Sequence, residues 1–294
     1  MFVVAVTGDV GAGKSTLVGV WRSMGAEIVS ADEVAKDQWR KPEIMAKMVA
    51  RWGDEVLTNG APDFAKIARV AFANEEENRF TRELIHPGTR EEITKLVCTL
   101  RGWVVVEIPL LFESGRHDWI DCVVYVTAPK AARSSRNAAR GWRAGEVERR
   151  ERFLLASEEK QVLSDVVLTN DGSREEWEAK ARELGALFAK SSAVYEVATC
   201  CGSLDEAERI GRLLVEKRLA ACVNMGAVRS CYRWQDGVTV ENEWSISCKT
   251  TGSALRKAID CIKENHSYDL PAITAHDFTH SDFATLKWIV ESCI

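Results

Sequence analysis

The residues best suited to chemistry lie in a glycine-rich segment, GDVGAGKST, which follows the apolar run FVVAV near the start of the chain. Gly8, four further residues, and then Gly13, Lys14 and Ser15 match the P-loop pattern. Glycines allow a tight turn that directs backbone N–H groups at phosphate oxygens, and the helix beginning near Lys14 adds the positive end of its dipole. We expect Lys14 to contact the β- and γ-phosphates of a nucleotide and Ser15 to bind Mg²⁺. The predicted phosphate-binding residues are Gly8, Asp9, Val10, Gly11, Ala12, Gly13, Lys14, Ser15 and Thr16.

A run of arginines in the segment RSSRNAARGWRAGEVERRERF, residues 133–153, is a second candidate group. Arg136 and Arg140 are four residues apart, which places them on one face of a helix, directly before Gly141. In a small kinase, a closing lid at this position carries arginines onto the transferring phosphoryl group, whose charge spreads over three oxygens. The alternative is a solvated helix face without a catalytic role.

Motor ATPases, GTPases and small-molecule kinases all contain P-loops, so other residues must separate these classes. A GTPase would need an Asn-Lys-x-Asp sequence to recognise guanine, and the nearest segment, Thr169-Asn-Asp171, lacks the lysine. The long insertions between motifs that would suggest a motor are also missing. The sequence therefore favours a small-molecule kinase.

The elements that must position these residues alternate between apolar strands and amphipathic helices over the first half of the chain. Strands are predicted at residues 2–6, 26–29, 103–108, 122–127 and 165–169. Their nearly continuous β-branched runs are typical of strands that are buried on both faces of a parallel sheet covered by helices. Ser173-Arg-Glu-Glu176 is a capping box, which predicts a helix that ends near Lys190.

The pattern changes after the small polar segment 190–193. Predicted elements are a strand at 194–201, a helix opened by the capping box Ser203–Glu206, a β region at 222–250, a helix at 253–265, a strand at 272–278 and a helix at 281–291. Within the β region, Trp244, Ile246 and Cys248 alternate with Glu243, Ser245, Ser247 and Lys249, the period of a half-buried strand. Gln235-Asp-Gly237 is expected to form the hairpin turn. This order predicts a ferredoxin-like α+β domain after the α/β P-loop domain.

Composition narrows the choice of partners and location. The chain has 294 residues, 46% hydrophobic and 28% charged, which is enough for two globular domains. A net charge of −5 argues against a nucleic-acid partner, and no apolar run suggests a signal peptide or a membrane span. Nine cysteines without a CxxC pair are expected to be reduced thiols that pack as small apolar side chains. We therefore expect a cytoplasmic protein.

Residues 1–190 resemble the dephospho-CoA kinase family along their whole length. The resemblance rests on VTGDVGAGKST, on Ser30-Ala-Asp32-Glu-Val-Ala35, on Leu84-Ile-His86-Pro87, on Glu107-Ile-Pro109-Leu-Leu-Phe-Glu113, and on Glu159-Lys160 followed by Asp165-Val-Val-Leu-Thr-Asn170. Several motifs in the family's order are far more specific than a P-loop alone. The resemblance implies a P-loop kinase with a parallel sheet and a helical lid. It also implies Mg²⁺-dependent transfer of the ATP γ-phosphoryl group to the ribose 3′-hydroxyl of dephospho-CoA.

The resemblance also implies roles for single residues. Asp32 would act as the general base for the 3′-hydroxyl or orient its oxygen for in-line attack, unless it only stabilises the start of a helix. Lys14, Arg136 and Arg140 would stabilise the transferring group, and Asn170 would lie near the adenine of ATP. The expected acceptor pocket consists of His86, Pro87, Pro109, Leu110, Leu111, Phe112 and Glu113, with a hydrogen-bonded core imidazole as the alternative for His86.

Three residues depart from the family pattern. Ser30 stands where Asp is usual, so a second carboxylate beside Asp32 is lost. Glu107 replaces an Asp, and would act on Mg²⁺ through water or only pack nearby; Leu154 replaces a Gln. These departures bear on activity rather than on the fold, and a poorly active kinase is one alternative.

Residues 193–294 resemble the CutA family, ferredoxin-like proteins that are named for divalent-cation tolerance and are generally trimeric. The matching residues are Ala198-Thr199, Leu219–Asn224, Ser230–Trp234, Gly237, Glu243, Lys249-Thr250, His266–Tyr268, Pro271 and Trp288-Ile289. The resemblance implies a homotrimer, and Tyr232, Trp234 and Trp288 are interpreted as core or subunit-contact aromatics. His266 is the candidate ligand for Cu²⁺ or Zn²⁺, although Ser267 and Ala272 replace the usual Pro and Glu, which removes one potential carboxylate ligand.

The main hypothesis is thus a two-domain protein in which a kinase, residues 1–190, precedes a trimerisation or cation-response module, residues 193–294. Another small-metabolite kinase is the alternative among enzymes. A sensor that binds nucleotide and metal without turnover is the alternative among binding proteins.

Overall fold

The computed structural model describes the chain except residues 140, 143, 144, 153, 236, 279, 280 and 294 and the side chains of Glu148 and Arg150. The described residues divide into two compact units, one of residues 3–183 and the other of residues 1–2 and 184–294. Within this described part, no helix combines the length and the apolar composition that a membrane span requires.

A five-stranded sheet, in the order β2-β5-β1-β6-β7, forms the centre of the first unit. The strands up to residue 169 are β1 (Phe2–Gly8), β2 (Glu27–Ser30), β3 (Leu57–Thr58), β4 (Ala61–Pro62), β5 (Trp103–Glu107), β6 (Cys122–Thr127) and β7 (Val166–Thr169). β2 pairs with β5, β1 with β6, and β6 with β7, all in parallel, as predicted. β1, β5 and β6 are almost completely buried. Burial on both faces is the wrong prediction for β7, because this strand lies at the sheet edge and Val167 is 40% exposed.

Helices cover this sheet and extend beyond it. They are α1 (Lys14–Ser23), α2 (Ala31–Trp39), α3 (Pro42–Trp52), α4 (Phe64–Ala71), α5 (Glu75–Thr99), α6 (Leu111–Ser114), α7 (Lys130–Ala139), α8 (Glu146–Glu151), α9 (Ser157–Val162) and α10 (Arg174–Ser191). The capping box that begins α10 is confirmed in both directions: Ser173 N donates to Glu176 Oε2 at 2.7 Å, and Glu176 N donates to Ser173 Oγ at 3.2 Å.

α5 is a 25-residue helix that continues through Pro87. Asn74 starts it by accepting a hydrogen bond from Glu77 N, and its buried side includes Ile85, Thr89 and Ile93. Gly88 allows α2 to approach closely, since a Cβ atom there would lie 2.6 Å from the side-chain oxygen of the buried Gln38. This close packing fixes the middle of α5 against α2.

The second unit contains one antiparallel sheet, in the order β11-β8-β10-β9. Its elements are β8 (Val194–Cys201), α11 (Leu204–Glu216), β9 (Cys222–Trp234), β10 (Gly237–Thr251), α12 (Gly252–Glu264), β11 (Thr274–Asp277) and α13 (Phe283–Ser292). The element order and the strand order confirm the predicted ferredoxin-like α+β arrangement. The predicted hairpin turn includes residue 236, which lies outside the described residues.

Burial along β10 agrees with the predicted period at Ile246 and Cys248, which are each 1% exposed. Glu243 is the exception, because its side chain is buried and accepts a hydrogen bond from the Tyr268 hydroxyl at 3.0 Å. All nine cysteines are free, and Cys201, Cys248 and Cys261 belong to the core of this unit. Burial raises the pKa of the Cys201 and Cys248 thiols to about 12, so these thiols are neutral packing groups.

Candidate functional site

The glycine-rich segment forms the turn between β1 and α1, and three of its glycines have positive φ angles: 140° at Gly8, 76° at Gly11 and 107° at Gly13. A Cβ atom at Gly8 would overlap the carbonyl group of Val126 on β6. Only glycine therefore fits this turn beside the neighbouring strand. α1 begins without a side-chain cap, so its first N–H groups remain directed at the space in front of the loop.

Lys14, in the first turn of α1, folds its ammonium group back over the loop. Its Nζ atom donates to the carbonyl oxygens of Gly8 and Asp9, both at 2.9 Å. Burial lowers the pKa of Lys14, while the negative charges of Glu107, Asp9 and Asp32 oppose this effect. The charge of Lys14 thus lies among three carboxylates contributed by separate elements of the sheet edge.

Asp32 and Glu107 are the carboxylates that face Lys14 from α2 and from the end of β5. Burial raises the pKa of Glu107, the Asp32 carboxylate raises it further, and Lys14 acts in the opposite direction. Asp32 is exposed in the first turn of α2, where Ser30 Oγ accepts a hydrogen bond from Glu33 N at 3.4 Å. Ser30 therefore caps the helix that contains Asp32. The sequence comparison with the family pattern, in which Asp is usual here, did not predict this capping role.

The side chain of Asp9 points away from the phosphate-binding face of the loop. Its two carboxylate oxygens accept hydrogen bonds from the hydroxyl groups of Tyr125, at 2.7 Å, and Thr127, at 2.6 Å, both on β6. Burial is the largest cause that raises the pKa of Tyr125 well above its usual range, so Tyr125 remains a neutral donor. Asp9 was predicted among the phosphate-binding residues; its backbone belongs to the loop, and its side chain fastens the loop to β6.

Arg136 and Asn170 both contact the glycine-rich loop. Arg136 Nη2 donates to Asn170 Oδ1 at 3.2 Å, and Arg136 Nη1 donates to the carbonyl oxygen of Ala12 at 3.3 Å. Asn170 Nδ2 donates to the same carbonyl at 2.8 Å. The structure thus brings together the predicted lid arginine and the residue predicted to lie near adenine. Arg140, the second predicted lid arginine, lies outside the described residues.

Asn137 is a residue that the sequence patterns missed. It is 2% exposed on α7, and a Cβ atom at Gly11 would lie 2.6 Å from its Nδ2 atom. Among the described residues, neither polar atom of its amide has a hydrogen-bond partner. A buried amide without partners is unfavourable, so the side of the loop facing α7 retains unused hydrogen-bonding capacity. The one sequence feature that could have pointed to Asn137 is its position between the two predicted lid arginines, Arg136 and Arg140.

The residues predicted for the acceptor pocket divide into surface and core positions. His86 is half-buried on α5, whereas Pro87 is exposed on the outer side of the same helix. Leu111 is completely buried in α6, and the carbonyl of Pro109 accepts a hydrogen bond from the Thr7 hydroxyl at 3.2 Å. Leu110 and Phe112 are half-buried. The side chain of Leu111 is thus part of the core in the single chain, Pro87 is accessible, and contact of this set with an acceptor stays a prediction.

Glu113 and Lys160 form a buried ion pair beside His86. The Lys160 Nζ to Glu113 Oε1 distance is 2.6 Å, and Leu155 N also donates to this oxygen at 3.1 Å. Burial is the largest cause that lowers the pKa of His86, followed by the charges of Arg82 and Arg90, while Glu113 opposes them. His86 is therefore a neutral imidazole at physiological pH.

Leu154, the third departure from the family pattern, is half-buried, and its backbone N–H donates to the carbonyl oxygen of Glu151.

His266, the predicted metal ligand of the second unit, has both ring nitrogens engaged. Its Nδ1 atom accepts from Tyr268 N at 3.1 Å, so its Nε2 atom carries the proton and donates to the carbonyl of Cys200 at 2.9 Å. The only carboxylate beside it within the described residues, Glu206, binds the backbone and hydroxyl of Ser267. No group of three or more metal-ligating side chains occurs in the described part of the chain. The residues present therefore do not fit a Cu²⁺ or Zn²⁺ site.

The three aromatic residues singled out in the second unit are not core residues. Trp234 is 53% exposed and Trp288 is 45% exposed, while Tyr232 is half-buried and its hydroxyl donates to Glu241. Tyr232 and Trp234 line a cavity of about 870 Å³ together with Glu243 and Tyr268. The interpretation as core aromatics is thus wrong for both tryptophans, and subunit contact remains as the other interpretation.

Comparison with known protein families identifies two matches along the chain. Residues 2–176 match the family model described as dephospho-CoA kinase. Residues 195–292 match the family model described as CutA1 divalent ion tolerance protein, so a CutA1 domain follows the first match.

Individual proteins are similar to parts of the chain. The dephospho-CoA kinase of Geobacillus kaustophilus (strain HTA426) is 34% identical over 183 residues, which cover 59% of this chain and 90% of the relative. The crystal structure of TT1252 from Thermus thermophilus, 31% identical, has a TM-score of 0.53 and covers 63% of this chain and 96% of its own. The CutA structure from Xylella fastidiosa, 34% identical, has a TM-score of 0.34 and covers 35% of this chain and 100% of its own.

Proposed function

The chain belongs to the dephospho-CoA kinase family, and we propose that it transfers the γ-phosphoryl group of ATP to the ribose 3′-hydroxyl of dephospho-CoA. The observation that carries this proposal is the convergence of Lys14, Asp32 and Glu107 in front of the glycine-rich loop, where their charges act on one another. A donor-binding lysine beside an exposed carboxylate provides the two groups that phosphoryl transfer to a hydroxyl requires.

The donor side of the proposed site consists of the loop and its neighbours. Backbone N–H groups of residues 8–16 and the start of α1 would bind the phosphates of ATP, and the Lys14 ammonium would move from the Gly8 and Asp9 carbonyls to the β- and γ-phosphate oxygens. Arg136 lies at the loop already, and together with Arg140 it would stabilise the charge on the transferring group. Asn170 would keep its contact with Ala12 and lie beside the bound nucleotide.

Mg²⁺ would enter with ATP as part of the substrate. The Ser15 hydroxyl is suited to bind it, because the residue is exposed in the first turn of α1 and its side chain makes no hydrogen bond with another described residue. Glu107 would act on the ion through water. The ion supplies positive charge that offsets the negative charge of the phosphates.

On the acceptor side, Asp32 would accept the proton of the 3′-hydroxyl as that oxygen forms its bond to the γ-phosphorus. The bond between this phosphorus and the β–γ bridging oxygen breaks, and ADP leaves with the electron pair. His86, with half-buried residues of the segment 109–112, would bind the remainder of the acceptor, and the pair of Glu113 with Lys160 would hold that segment in position. Lys14, whose charge already interacts with that of Asp32, would offset the negative charge on the phosphate oxygens during the transfer.

Incubation of the purified full chain with ATP, Mg²⁺ and dephospho-CoA tests this proposal, with coenzyme A and ADP as the measured products. Lys14→Ala should abolish product formation, and Lys95→Ala, which removes an exposed lysine of α5, should leave it unchanged. Product from other metabolites but not from dephospho-CoA would support a different small-metabolite kinase. ATP binding without any product would support the nucleotide-binding sensor instead.

We also propose that residues 193–294 assemble the chain into a homotrimer, and that residues 1–190 and 193–294 are its two domains. The support is the CutA1 match together with apolar side chains on β9, β10 and α13 that are exposed in the single chain, among them Trp234, Val238 and Trp288. Burial of such side chains between subunits is favourable, and tryptophan contributes strongly at interface centres.

Sedimentation equilibrium of the full chain tests the trimer, which should have three times the 32.7 kDa of one chain. Val238→Asp should dissociate it, because a charge would be buried in the interface. Val162→Asp, the same change at a residue of α9 that is 86% exposed, is the matched control and should not. A monomeric wild-type protein would refute the proposal.

A cytoplasmic location is proposed with the biosynthetic activity, and cell fractionation would test it.

A further inference from the structure

Three nitrogen-containing side chains lie along one line of α5. Arg82, His86 and Arg90 are spaced by four residues, and all three are half-buried. They flank the buried residues Ile85, Thr89 and Ile93, so the line follows the margin between the covered and the open side of the helix. Side chains at such a margin keep their ends accessible while their stems are held by packing.

The groups facing this line leave it with an excess of positive charge. Arg90 Nη1 donates to the carbonyl oxygens of Ser114 and Gly115, the latter at 2.8 Å, so its guanidinium is fixed at the end of α6. Glu113 is the carboxylate that faces His86, and Lys160 already neutralises it. Arg82 has no ion pair or hydrogen bond with any described residue. A guanidinium without a carboxylate partner is available for an anion.

The line lies on a helix that packs against the helix containing Asp32. Close packing of Gly88 against Gln38 holds the middle of α5 on α2, the helix whose first turn contains Asp32. Lys160, the partner of Glu113, acts on the charge of Lys14 at the donor loop. The cationic line is therefore linked to the elements that carry Asp32 and Lys14, through the packing of α5 on α2 and through the Glu113–Lys160 pair.

We propose that Arg82, supported by His86 and Arg90, binds the diphosphate group of the acceptor. Dephospho-CoA has this diphosphate attached to the same ribose whose 3′-hydroxyl is to be phosphorylated, so an anion site on α5, which packs against the helix of Asp32, would orient the sugar. A guanidinium suits this task because its N–H groups can bind two phosphate oxygens at once. Arg82 is then the residue that favours a nucleotide acceptor over a free nucleoside. This inference rests on the proposed function.

Calorimetric binding of dephospho-CoA, adenosine and ATP to the full chain tests the proposal. Arg82→Gln should weaken dephospho-CoA binding about 10- to 100-fold, the usual range for a lost charge-assisted hydrogen bond, with adenosine and ATP affinities unchanged. Arg82→Lys should recover only part of the loss, because an ammonium cannot bind two oxygens in the same planar geometry. Arg79→Gln, at an exposed arginine one turn earlier on α5, is the matched control and should bind all three ligands normally.

Equal weakening of adenosine and dephospho-CoA would overturn the proposal, since the effect would then not depend on the diphosphate. Loss of ATP affinity alone would overturn it too, because Arg82 would then belong to the donor side. Unchanged dephospho-CoA affinity in Arg82→Gln, with the wild type producing coenzyme A, would refute this inference and leave the proposed function standing. A wild type that binds no dephospho-CoA would refute both.

Discussion

Glu113 and Lys160 form an ion pair from which water is almost entirely excluded, because their side chains are only 4% and 6% exposed and their charged atoms are 2.6 Å apart. The second carboxylate oxygen of Glu113 is buried and has no hydrogen-bond partner among the described residues. The pair joins the end of the segment 107–113 to α9, so the position of the acceptor residues depends on it.

Removing one partner of this pair should strongly destabilise the protein. Lys160→Met leaves the Glu113 carboxylate buried without compensation, and the free energy of unfolding should fall by about 3–5 kcal/mol. Replacing both residues, as Lys160→Met with Glu113→Leu, should recover most of that loss because no charge remains buried. Urea denaturation of the three proteins measures this, and equal stability of wild type and Lys160→Met would contradict the prediction.

The contact between Asp9 and β6 should control the affinity of the loop for ATP. Asp9→Ala removes the acceptor of the Tyr125 and Thr127 hydroxyls, which lets the loop shift from its phosphate-binding shape. We expect a roughly 10-fold higher dissociation constant for ATP, corresponding to one charge-assisted hydrogen bond. Fluorescence titration with ATP measures it. Thr127→Val, which removes only one donor, should have a smaller effect in the same direction, and an unchanged affinity in Asp9→Ala would exclude this role.

Two glycine substitutions near the loop should change stability in opposite directions. Gly8→Ala places a methyl group against Val126 at a φ of 140°, and the free energy of unfolding should fall by about 2 kcal/mol or more. Gly19→Ala lies in the middle of α1, where nothing is within 4 Å of the added carbon, and should stabilise the protein by about 0.5–1 kcal/mol. Thermal unfolding of both variants is the test, and the prediction fails if both shift in the same direction.

Stability should depend on pH through Glu107. Burial raises the pKa of this carboxyl in the folded protein, so the folded state binds its proton more tightly than the unfolded state does. The favourable contribution of the protonated group is complete below the pKa of the unfolded chain and is lost as the pH rises through the folded-state value. Glu107→Gln, which is neutral at every pH, should therefore be more stable than wild type at pH 7.

The advantage of Glu107→Gln should shrink as the pH falls towards 4, where the wild-type carboxyl is protonated as well. Denaturant unfolding at pH 7 and at pH 4.5 measures the difference between the two proteins. Glu83→Gln, which removes an exposed carboxylate of α5, serves as the control for the loss of one negative charge. An advantage of Glu107→Gln that is constant with pH would mean that the carboxyl does not titrate as its burial requires.

Local sequence patterns were sufficient to predict many structural elements of this protein. The glycine-rich loop, the strands of the parallel sheet, the capping box at Ser173 and the element order of the second unit follow from residue type and spacing within about 20 positions. Each depends on backbone dihedral preferences, on the burial of one face, or on a hydrogen bond between near neighbours in the chain. These causes act over a few residues, and the sequence contains them directly.

The partners within the site depended on tertiary structure. Asp9 meets Tyr125 and Thr127 because β1 and β6 are neighbours in the sheet, although more than 110 positions separate them along the chain. Glu243 was expected at the surface of β10 but is buried, since the Tyr268 hydroxyl reaches its carboxylate from a distant loop. No periodicity specifies which distant side chain will satisfy a buried polar group. The sequence by itself determined the phosphate-binding loop and the two kinds of sheet, whereas the order of the strands and the packing of helices decided which charges act together.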